Sequence, residues 1–266
     1  MQLKYLAKTA IEKMSGNRFY LEPSTDPGEV KSLLKRLAPV AISRPMIRLG
    51  SQSDGGYLAP DDLMNLTASV SPGVSTEVGF DLEMADRGLE VYMADASVSG
   101  PPIQNSHFHF VPKFLDVFED ETNMRLDTLC SHIDAECSGD RILQMDIEGA
   151  EYRVLLDTSD EVLRSFRIML IEFHNIDRLF SAFPFKLISA TFRKLLRHHH
   201  IVHIHPNNVC PPRVRHGISI PPVMEFTFYR NDRVSVDDSR TLKFPHALDR
   251  DNLAHCPSVT LPDCWR

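Results

Sequence analysis

The sequence lacks a membrane-spanning run, a secretory signal and a surplus of basic residues. No apolar stretch approaches the roughly 20 residues that a transmembrane helix needs. The first eight residues mix charged and apolar side chains without a small-residue cleavage site, so we expect no signal peptide. The formal net charge of −7 argues against nucleic-acid binding, which needs a basic face. We therefore expect neither a membrane span nor a nucleic-acid partner.

Paired-cysteine motifs are also lacking. The 5 cysteines are an odd number, and no C-x-x-C pair occurs. Free thiols in a reducing compartment are typical of this pattern, rather than a disulfide framework. With 266 residues, 42% of them hydrophobic, the chain has the size and composition of one globular domain with additions. We therefore expect a cytoplasmic protein, and the sequence does not indicate its oligomeric state.

Short apolar segments alternate with helical patterns between residues 46 and 232. A helical segment precedes them in residues 1–45, with a helix start at Asp26 and Pro27. A polar extension without predicted structure follows in residues 233–266. Strands separated by helices favour an α/β fold with a doubly wound, mostly parallel sheet. The predicted strands cover residues 68–71, 90–95, 107–111, 142–145, 167–173, 201–205 and 223–229.

The first two strands and the helix between them resemble a nucleoside-binding unit. Gly73 follows the first strand, and Asp95 ends the second about 20 residues later, as such sites require. A glycine lets the backbone approach a ligand, and an acid can accept both ribose hydroxyls. The full G-x-G-x-x-G pattern is missing, and Glu77 disfavours a pyrophosphate. An ordinary turn between strand and helix is the alternative.

Carboxylates are concentrated where the fourth predicted strand ends. Asp146 and Glu148 are separated by one residue, so on an extended chain they project to the same side. They would reach the ligand-binding edge of the sheet if the fourth strand adjoins the first. The alternative is that Asp146 caps the next helix and that Glu148 and Glu151 complement its dipole. Capping needs one carboxylate rather than three, so we predict that Asp146 faces a ligand.

Histidines occur at the end of the fifth strand and in a later cluster. His174 can serve as a general base near neutral pH, although a structural role is the alternative. Residues 198–205 read HHHIVHIH and invite a metal hypothesis. However, the pattern places residues 198–200 at a helix end and His203 and His205 on a strand, which scatters their directions. No metal ligand set is therefore predicted.

Taken in order, these segments resemble the FkbM-type family of S-adenosylmethionine-dependent methyltransferases. The likeness covers roughly residues 46–230, and its most specific block is DIEGAE at 146–151. The matching segments are RLG (48–50) with DGGY (54–57), SPGV (71–74) with Phe80, ADASV (94–98), MDIEGAE (145–151), IEFH (171–174), VHIHPNN (202–208) and PPVMEFT (221–227).

The resemblance implies a seven-stranded class I methyltransferase sheet, Rossmann-like, whose last strand is antiparallel. It implies S-adenosyl-L-methionine as the cofactor and a hydroxyl of a small metabolite or sugar as the methyl acceptor. It also implies that Gly73 and Ser75 approach the methionine part of the cofactor, that Asp95 holds the ribose, and that Asp146 lies beside the sulfonium or the acceptor. We predict catalytic roles for Asp146, Glu148 and His174, with His174 or Asp146 as the base. The predicted cofactor-binding residues are Asp54, Gly56, Tyr57, Gly73, Val74, Ser75, Asp95, Ala96 and Asp146.

Two residues depart from the family pattern, and three other functions stay open. Ser75 stands where members often have glycine, which affects how closely the cofactor approaches. Gln144 stands where members often have lysine, which points to a different acceptor or to weak activity. An NAD-dependent oxidoreductase or epimerase is one alternative, against which Glu77, the missing third glycine and the lack of a Tyr-x-x-x-Lys pair all count. A metal-dependent methyltransferase or hydrolase and an inactive cofactor-binding homologue are the others.

Overall fold

A seven-stranded mixed sheet forms the centre of the protein. The structure, a computed structural model, describes residues 11, 13, 14, 22–74, 76–134 and 139–266. The strands of these residues are β1 (Met46–Gly50), β2 (Gly56–Pro60), β3 (Leu66–Pro72), β4 (Glu90–Ala94), β5 (Phe108–Val111), β6 (Phe114–Leu115), β7 (Asn123–Met124), β8 (Asp140–Met145), β9 (Phe166–Phe173), β10 (His199–Pro206), β11 (Arg213–Arg215), β12 (Ile218–Ile220) and β13 (Met224–Arg230).

The order of strands in the sheet is the one expected from the family resemblance. It runs β10-β13-β9-β8-β3-β4-β5, and β13 is antiparallel to both of its neighbours. The pairs from β9 to β5 are all parallel. Every residue of β9 is buried, as expected for a strand covered on both faces. The predicted fold class and the antiparallel last strand are confirmed.

Helices cover the sheet. None in the described part of the chain is long and apolar enough to cross a membrane. The first begins as predicted, because the Asp26 carboxylate accepts from the backbone N–H of Gly28 at 2.8 Å. Most of residues 1–21 lie outside the described residues. The helices are α1 (Pro27–Leu37), α2 (Gly79–Asp86), α3 (Leu126–Asp134), α4 (Glu151–Asp157), α5 (Asp160–Ser165) and α6 (Ala182–Leu195).

The strand order reverses direction between β3 and β8, and the two strands touch where they end. They pair in parallel, which meets the condition that the fourth predicted strand adjoins the first. Gly73 just after β3 has a φ of +88°, and a Cβ there would lie 1.7 Å from the carbonyl oxygen of Asp146. The glycine is thus required by a neighbouring backbone and not only by a ligand. Ligand sites in such sheets form at this reversal.

The histidine-rich segment differs from its predicted placement at one point. His198 lies in the turn after α6, but His199 and His200 begin β10 instead of ending the helix. The reason is a long-range contact, because the buried His199 ring places Nε2 2.8 Å from the carbonyl oxygen of Phe166 on β9. Strand pairing with β13 then continues through both histidines. The prediction of a helix end at 199–200 is wrong.

The C-terminal residues pack on the same core as the sheet. Trp265 is fully buried, and its indole Nε1 donates to the carbonyl oxygen of Ser219 at 3.1 Å. Its ring meets Phe226 on β13 edge to face, with centroids 6.1 Å apart. Asn252 donates to Glu225 at 2.8 Å and to Asp54 at 3.0 Å. The segment that the sequence leaves without structure is therefore tied to the edge of the sheet that carries the predicted site residues.

Candidate active site

Two cavities adjoin at the carboxyl edge of β3 and β8. Both are bounded by Gly73, Asp146 and Glu148. The larger has a volume of about 390 Å³ and the smaller about 180 Å³. Further lining residues include Asp95, Leu115, Asp116, Ile147 and Arg153 in the larger cavity, and Asp54, Tyr57, Val74, Glu77, Asp81 and Gln144 in the smaller.

A cluster of carboxylates surrounds His174 at this junction. The residue follows β9, and its Nε2 lies 3.4 Å from Glu148 Oε2 and 3.9 Å from Asp146 Oδ1. The same nitrogen is 3.6 Å from Oε1 of the buried Glu172. Asp146 and Glu148 thus face the same histidine, as expected from their spacing. The fourth and fifth strands bring these side chains together because their carboxyl ends are adjacent.

Glu151 fixes the orientation of His174. This glutamate has no exposed surface, and its Oε1 lies 3.2 Å from His174 Nδ1. The same oxygen accepts from the backbone N–H of Gly149 at 2.9 Å and of Ile147 at 3.3 Å. A carboxylate in this place accepts the Nδ1 proton, so that Nε2 faces the cavity junction. The turn before α4 is therefore stabilised by Glu151, and Asp146 has no capping role.

Burial and the surplus of negative charge change the acidity of the cluster. Burial raises the pKa of Asp146 to about 7, with a further contribution from Glu148. Burial also raises the pKa of Glu172 well above its usual value. Burial alone would lower the pKa of His174, but the hydrogen bond with Glu151 and the nearby carboxylates raise it. The cluster therefore holds protons near neutral pH, as sites of proton transfer require.

A comparison with protein families identifies the kind of enzyme. The family model of the methyltransferase FkbM domain matches residues 75–216, more than half of the chain. The chain belongs to the FkbM methyltransferase family. The matched region contains Asp95, Asp146 and His174, and it extends from α2 into β10 and beyond. A comparison with curated proteins found no match.

The predicted cofactor residues of this FkbM-family methyltransferase fall into three groups. Asp54, Tyr57, Gly73, Val74, Asp95 and Asp146 all line one or both cavities. Gly56 and Ala96 line neither. A Cβ on Gly56 would lie 1.9 Å from the carbonyl oxygen of Ser51, so this glycine serves the hairpin of β1 and β2. Ser75 lies outside the described residues.

Asp95 lies where a ribose-binding acid is expected. It directly follows β4 and is 5% exposed. Its Oδ1 accepts from the backbone N–H and the hydroxyl of Ser97, at 2.7 and 2.6 Å. These bonds fix the carboxylate on the wall of the larger cavity. The position is consistent with the role that the family resemblance implies.

Several residues of the methyltransferase site escape sequence reasoning. Asp116 and Arg153 form a two-point ion pair on the wall of the larger cavity, with distances of 2.8 and 2.9 Å. Asp116 closely follows the third predicted strand, so the rule of ligand binding at strand ends could have found it. Asp81 lies on α2, and Glu151 reaches back from α4. Their roles depend on contacts across the fold, for which the sequence carries no local signal.

One group of side chains has the spacing of a metal site. The ligand atoms of Asp146, Glu148 and His174 all lie within 4.8 Å of one another. Two carboxylates and an imidazole are suitable ligands for several divalent cations. The methyltransferase could thus use the same three residues either for proton transfer or to share a cation.

Proposed function

We propose that this methyltransferase transfers a methyl group from S-adenosyl-L-methionine to a hydroxyl oxygen of a small metabolite or sugar. The observation that carries the proposal is the junction of two cavities at the Asp146 carboxylate, beside an oriented His174. S-adenosylmethionine supplies a methyl group on a cationic sulfur. The two cavities offer separate places for its two ends, and the carboxylates lie between them.

The larger cavity suits the adenosine part of the cofactor. Asp95 can accept hydrogen bonds from both ribose hydroxyls, and the side chains of Leu115 and Ile147 offer apolar surface for a flat base. Its volume of about 390 Å³ lies in the range of small-molecule sites. Asp95 would therefore bind the ribose, as the family resemblance implies.

The charge of the junction suits a cation. Asp146 Oδ1 is buried and has no hydrogen-bond partner among the described residues. Four carboxylates, those of Asp146, Glu148, Glu151 and Glu172, surround the single imidazole of His174. This surplus of negative charge attracts a sulfonium and repels a pyrophosphate. It thus favours S-adenosylmethionine over a nicotinamide dinucleotide.

The geometry also supplies a base for the acceptor hydroxyl. With its Nδ1 proton held by Glu151, His174 would receive the hydroxyl proton at Nε2. Asp146 is the alternative proton acceptor, since its carboxylate lies 3.9 Å from the same nitrogen. The other contribution of the chain is orientation, because the displacement requires the acceptor oxygen, the methyl carbon and the sulfur in line.

A comparison of ligands by thermal unfolding tests the cofactor. Binding to the folded state raises the apparent stability, so S-adenosylmethionine and S-adenosylhomocysteine should both raise the melting temperature. NAD should not. Stabilisation by NAD alone would contradict the proposal and favour an oxidoreductase or epimerase.

Turnover needs a separate experiment. Release of S-adenosylhomocysteine is measured with a panel of sugars, polyketides and other hydroxyl-bearing metabolites. Methylation of a hydroxyl in one of them is the expected result. Tight cofactor binding without turnover across the panel would favour an inactive cofactor-binding homologue instead.

A metal-dependent methyltransferase is the second candidate, favoured by the spacing of Asp146, Glu148 and His174. In that case a divalent cation, and not a free imidazole, would lower the pKa of the acceptor hydroxyl. Metal content and activity are measured before and after chelation. Activity that is lost on chelation and restored by Mg²⁺ or Mn²⁺ would favour this candidate, whereas unchanged activity supports His174 or Asp146 as the base.

A further inference from the structure

The smaller cavity has an acidic wall. Carboxylates of five residues line it, and among the described residues no lysine, arginine or histidine does so. Two of these acids have partners of their own. Glu77 accepts from the backbone N–H of Gly79 at 2.8 Å, and Asp54 accepts from Asn252 at 3.0 Å. The others are Asp81, Asp146 and Glu148.

Asp81 is the most deeply buried of these acids, and one of its two carboxylate oxygens has no partner among the described residues. The residue lies in the first turn of α2 and is 3% exposed. Its Oδ1 has no hydrogen-bond partner among the described residues. The nearby Ser71 hydroxyl has one proton, which it donates to Gln144 Oε1 at 2.7 Å. The Gln144 amide in turn donates to the Tyr57 hydroxyl at 3.1 Å, so neither group serves Asp81 fully.

Such a carboxylate weakens the folded state. Burial raises the pKa of Asp81 to about 6, which means that the folded protein disfavours the charged form. A buried acceptor without a donor costs free energy, and a catalytic role or a bound polar group or ion is one explanation for keeping it. Asparagine would have nearly the same shape at a lower cost. The acid therefore indicates a ligand that brings both protons and positive charge.

We infer that Asp81 binds the α-ammonium group of the methionine part of the cofactor. This inference rests on the proposed function and adds a specific contact to it. The smaller cavity joins the larger one at Gly73 and Asp146, so a ligand with its sulfur at the junction extends its amino-acid end toward Asp81. A volume of about 180 Å³ accommodates that end but not a nucleoside. The ammonium supplies three N–H donors to a carboxylate that has too few.

A cycle of two ligands and two proteins tests the contact. Isothermal titration calorimetry compares the native protein with Asp81→Asn. Each protein is titrated with two ligands, S-adenosylhomocysteine and an analogue of it that has hydrogen in place of the amino group. The native protein should bind the analogue about 10- to 100-fold more weakly, as expected when a charged hydrogen bond is lost. Asp81→Asn should bind S-adenosylhomocysteine more weakly than the native protein does, by a similar factor. It should bind the analogue almost as well as the native protein does.

Asp86→Asn is the matched control, because it removes a carboxylate from the same helix at an exposed position that lines neither cavity. It should change both affinities by less than about threefold. The Asp81→Asn protein should melt no lower than the native one without ligand, because the substitution removes a buried charge whose Oδ1 has no partner among the described residues. A lower melting temperature would indicate a structural role and contradict the inference.

The remaining outcomes separate the inference from the proposed function. Equal weakening of both ligands in Asp81→Asn, or no weakening at all, would overturn the ammonium contact. Equal affinity of the native protein for the two ligands would also overturn the ammonium contact. This result does not depend on whether the variant folds. It would point to the acceptor, and not the cofactor, as the ligand of the acidic wall. If the native protein bound neither S-adenosylmethionine nor S-adenosylhomocysteine, the proposed function itself would fail.

Discussion

His174 is held from two sides. Glu151 engages Nδ1 from the buried turn before α4, while the carboxylates of Asp146, Glu148 and Glu172 face Nε2. The next residue, Asn175, adopts a left-handed φ of +56° and turns the chain away from the strand. Backbone in that conformation is uncommon outside glycine and occurs often at functional sites. The ring is thus presented to the cavity junction in one orientation.

Replacing the imidazole should affect turnover more than cofactor binding. We expect His174→Gln to lower kcat by about 10²- to 10⁴-fold, the usual contribution of a general base. Affinity for S-adenosylhomocysteine should stay within about threefold, because the larger cavity, and not His174, is proposed to hold the adenosine. Steady-state kinetics and calorimetry measure the two quantities.

The matched control for this prediction is Asp95→Ala. It should weaken cofactor binding by about tenfold or more, since the two ribose hydroxyls lose their acceptor. Unchanged affinity in Asp95→Ala would exclude the ribose assignment, and normal kcat in His174→Gln would exclude the imidazole as the base.

Single residues also show how far sequence reasoning extends. Asp146, Glu148 and His174 follow the ends of adjacent strands, and the structure indeed brings them together because parallel strands end at one edge. Glu151 begins α4, where it can complement the helix dipole, but its side chain also reaches back to His174. Contacts of this kind depend on a turn geometry that residue spacing does not specify.

At the scale of elements, Gly73 allows the ends of β3 and β8 to approach each other closely. We expect Gly73→Ala to lower the free energy of unfolding by about 3 kcal/mol or more, because a Cβ would overlap the Asp146 carbonyl and the residue would keep an unfavourable positive φ. Chemical denaturation measures the change.

Gly88→Ala separates the cost of the positive φ from the cost of the overlap with a neighbouring backbone. That glycine has a φ of +82°, but a Cβ there would meet nothing within 4 Å. Its substitution should cost only about 1–2 kcal/mol from the backbone conformation. Equal losses in the two variants would show that the close approach of β3 and β8 is not constrained by Gly73.

The start of β10 should make stability depend on pH. Burial lowers the pKa of His199 to about 4, below the value of about 6.5 for an unfolded histidine. Its contribution to stability is therefore complete above pH 6.5 and is lost as the pH falls toward 4. Between pH 7.5 and 5 the loss from this residue should be about 2 kcal/mol.

Other groups titrate in the same range, so the measurement is a difference between two proteins. His199→Gln can keep a hydrogen bond to the Phe166 carbonyl but cannot be protonated. Denaturant unfolding at the two pH values should show a smaller loss in the variant than in the native protein. Identical losses of stability in the two proteins would show that His199 does not cause this pH dependence.

The elements most accessible to sequence reasoning are the buried strands. β4, β8 and β9 lie within one or two residues of their predicted bounds, because apolar runs flanked by polar turns are strong local signals. The sequence pattern predicts a helix end at residues 199–200, but pairing with β13 makes them the start of a strand. Local preference is weak where a strand can gain hydrogen bonds from a distant partner.

At the scale of the whole molecule, the C-terminal segment is part of the domain core. Trp265 belongs to the same buried cluster as Phe226 and Leu261. We expect Trp265→Ala to lower the free energy of unfolding by about 3–5 kcal/mol, as for other large buried aromatic residues. Val236→Ala, at a position 48% exposed in the same segment, should change it by less than about 0.5 kcal/mol.

Denaturant titrations of both variants test whether the C-terminal segment is part of the domain core. If Trp265→Ala left the free energy of unfolding almost unchanged, the segment would fold independently of the sheet. The sequence predicts no structure for residues 233–266 because they form turns and irregular backbone, with no long helix or strand whose apolar residues would repeat regularly. Helices and strands are predicted from apolar residues that repeat at regular spacing, and this segment has no such repeat.

The position of β13 has a consequence for how the chain reaches its native state. This last strand of the sheet lies between β9 and β10, which both precede it in sequence. Until residues 224–230 leave the ribosome, β9 and β10 each keep an unpaired edge, and apolar side chains from both stay uncovered. The edge of β9 is thus open to wrong pairing from the synthesis of residue 173 until that of residue 230. A chain truncated before residue 224 should consequently aggregate, even though it would still carry Asp95, Asp146 and His174.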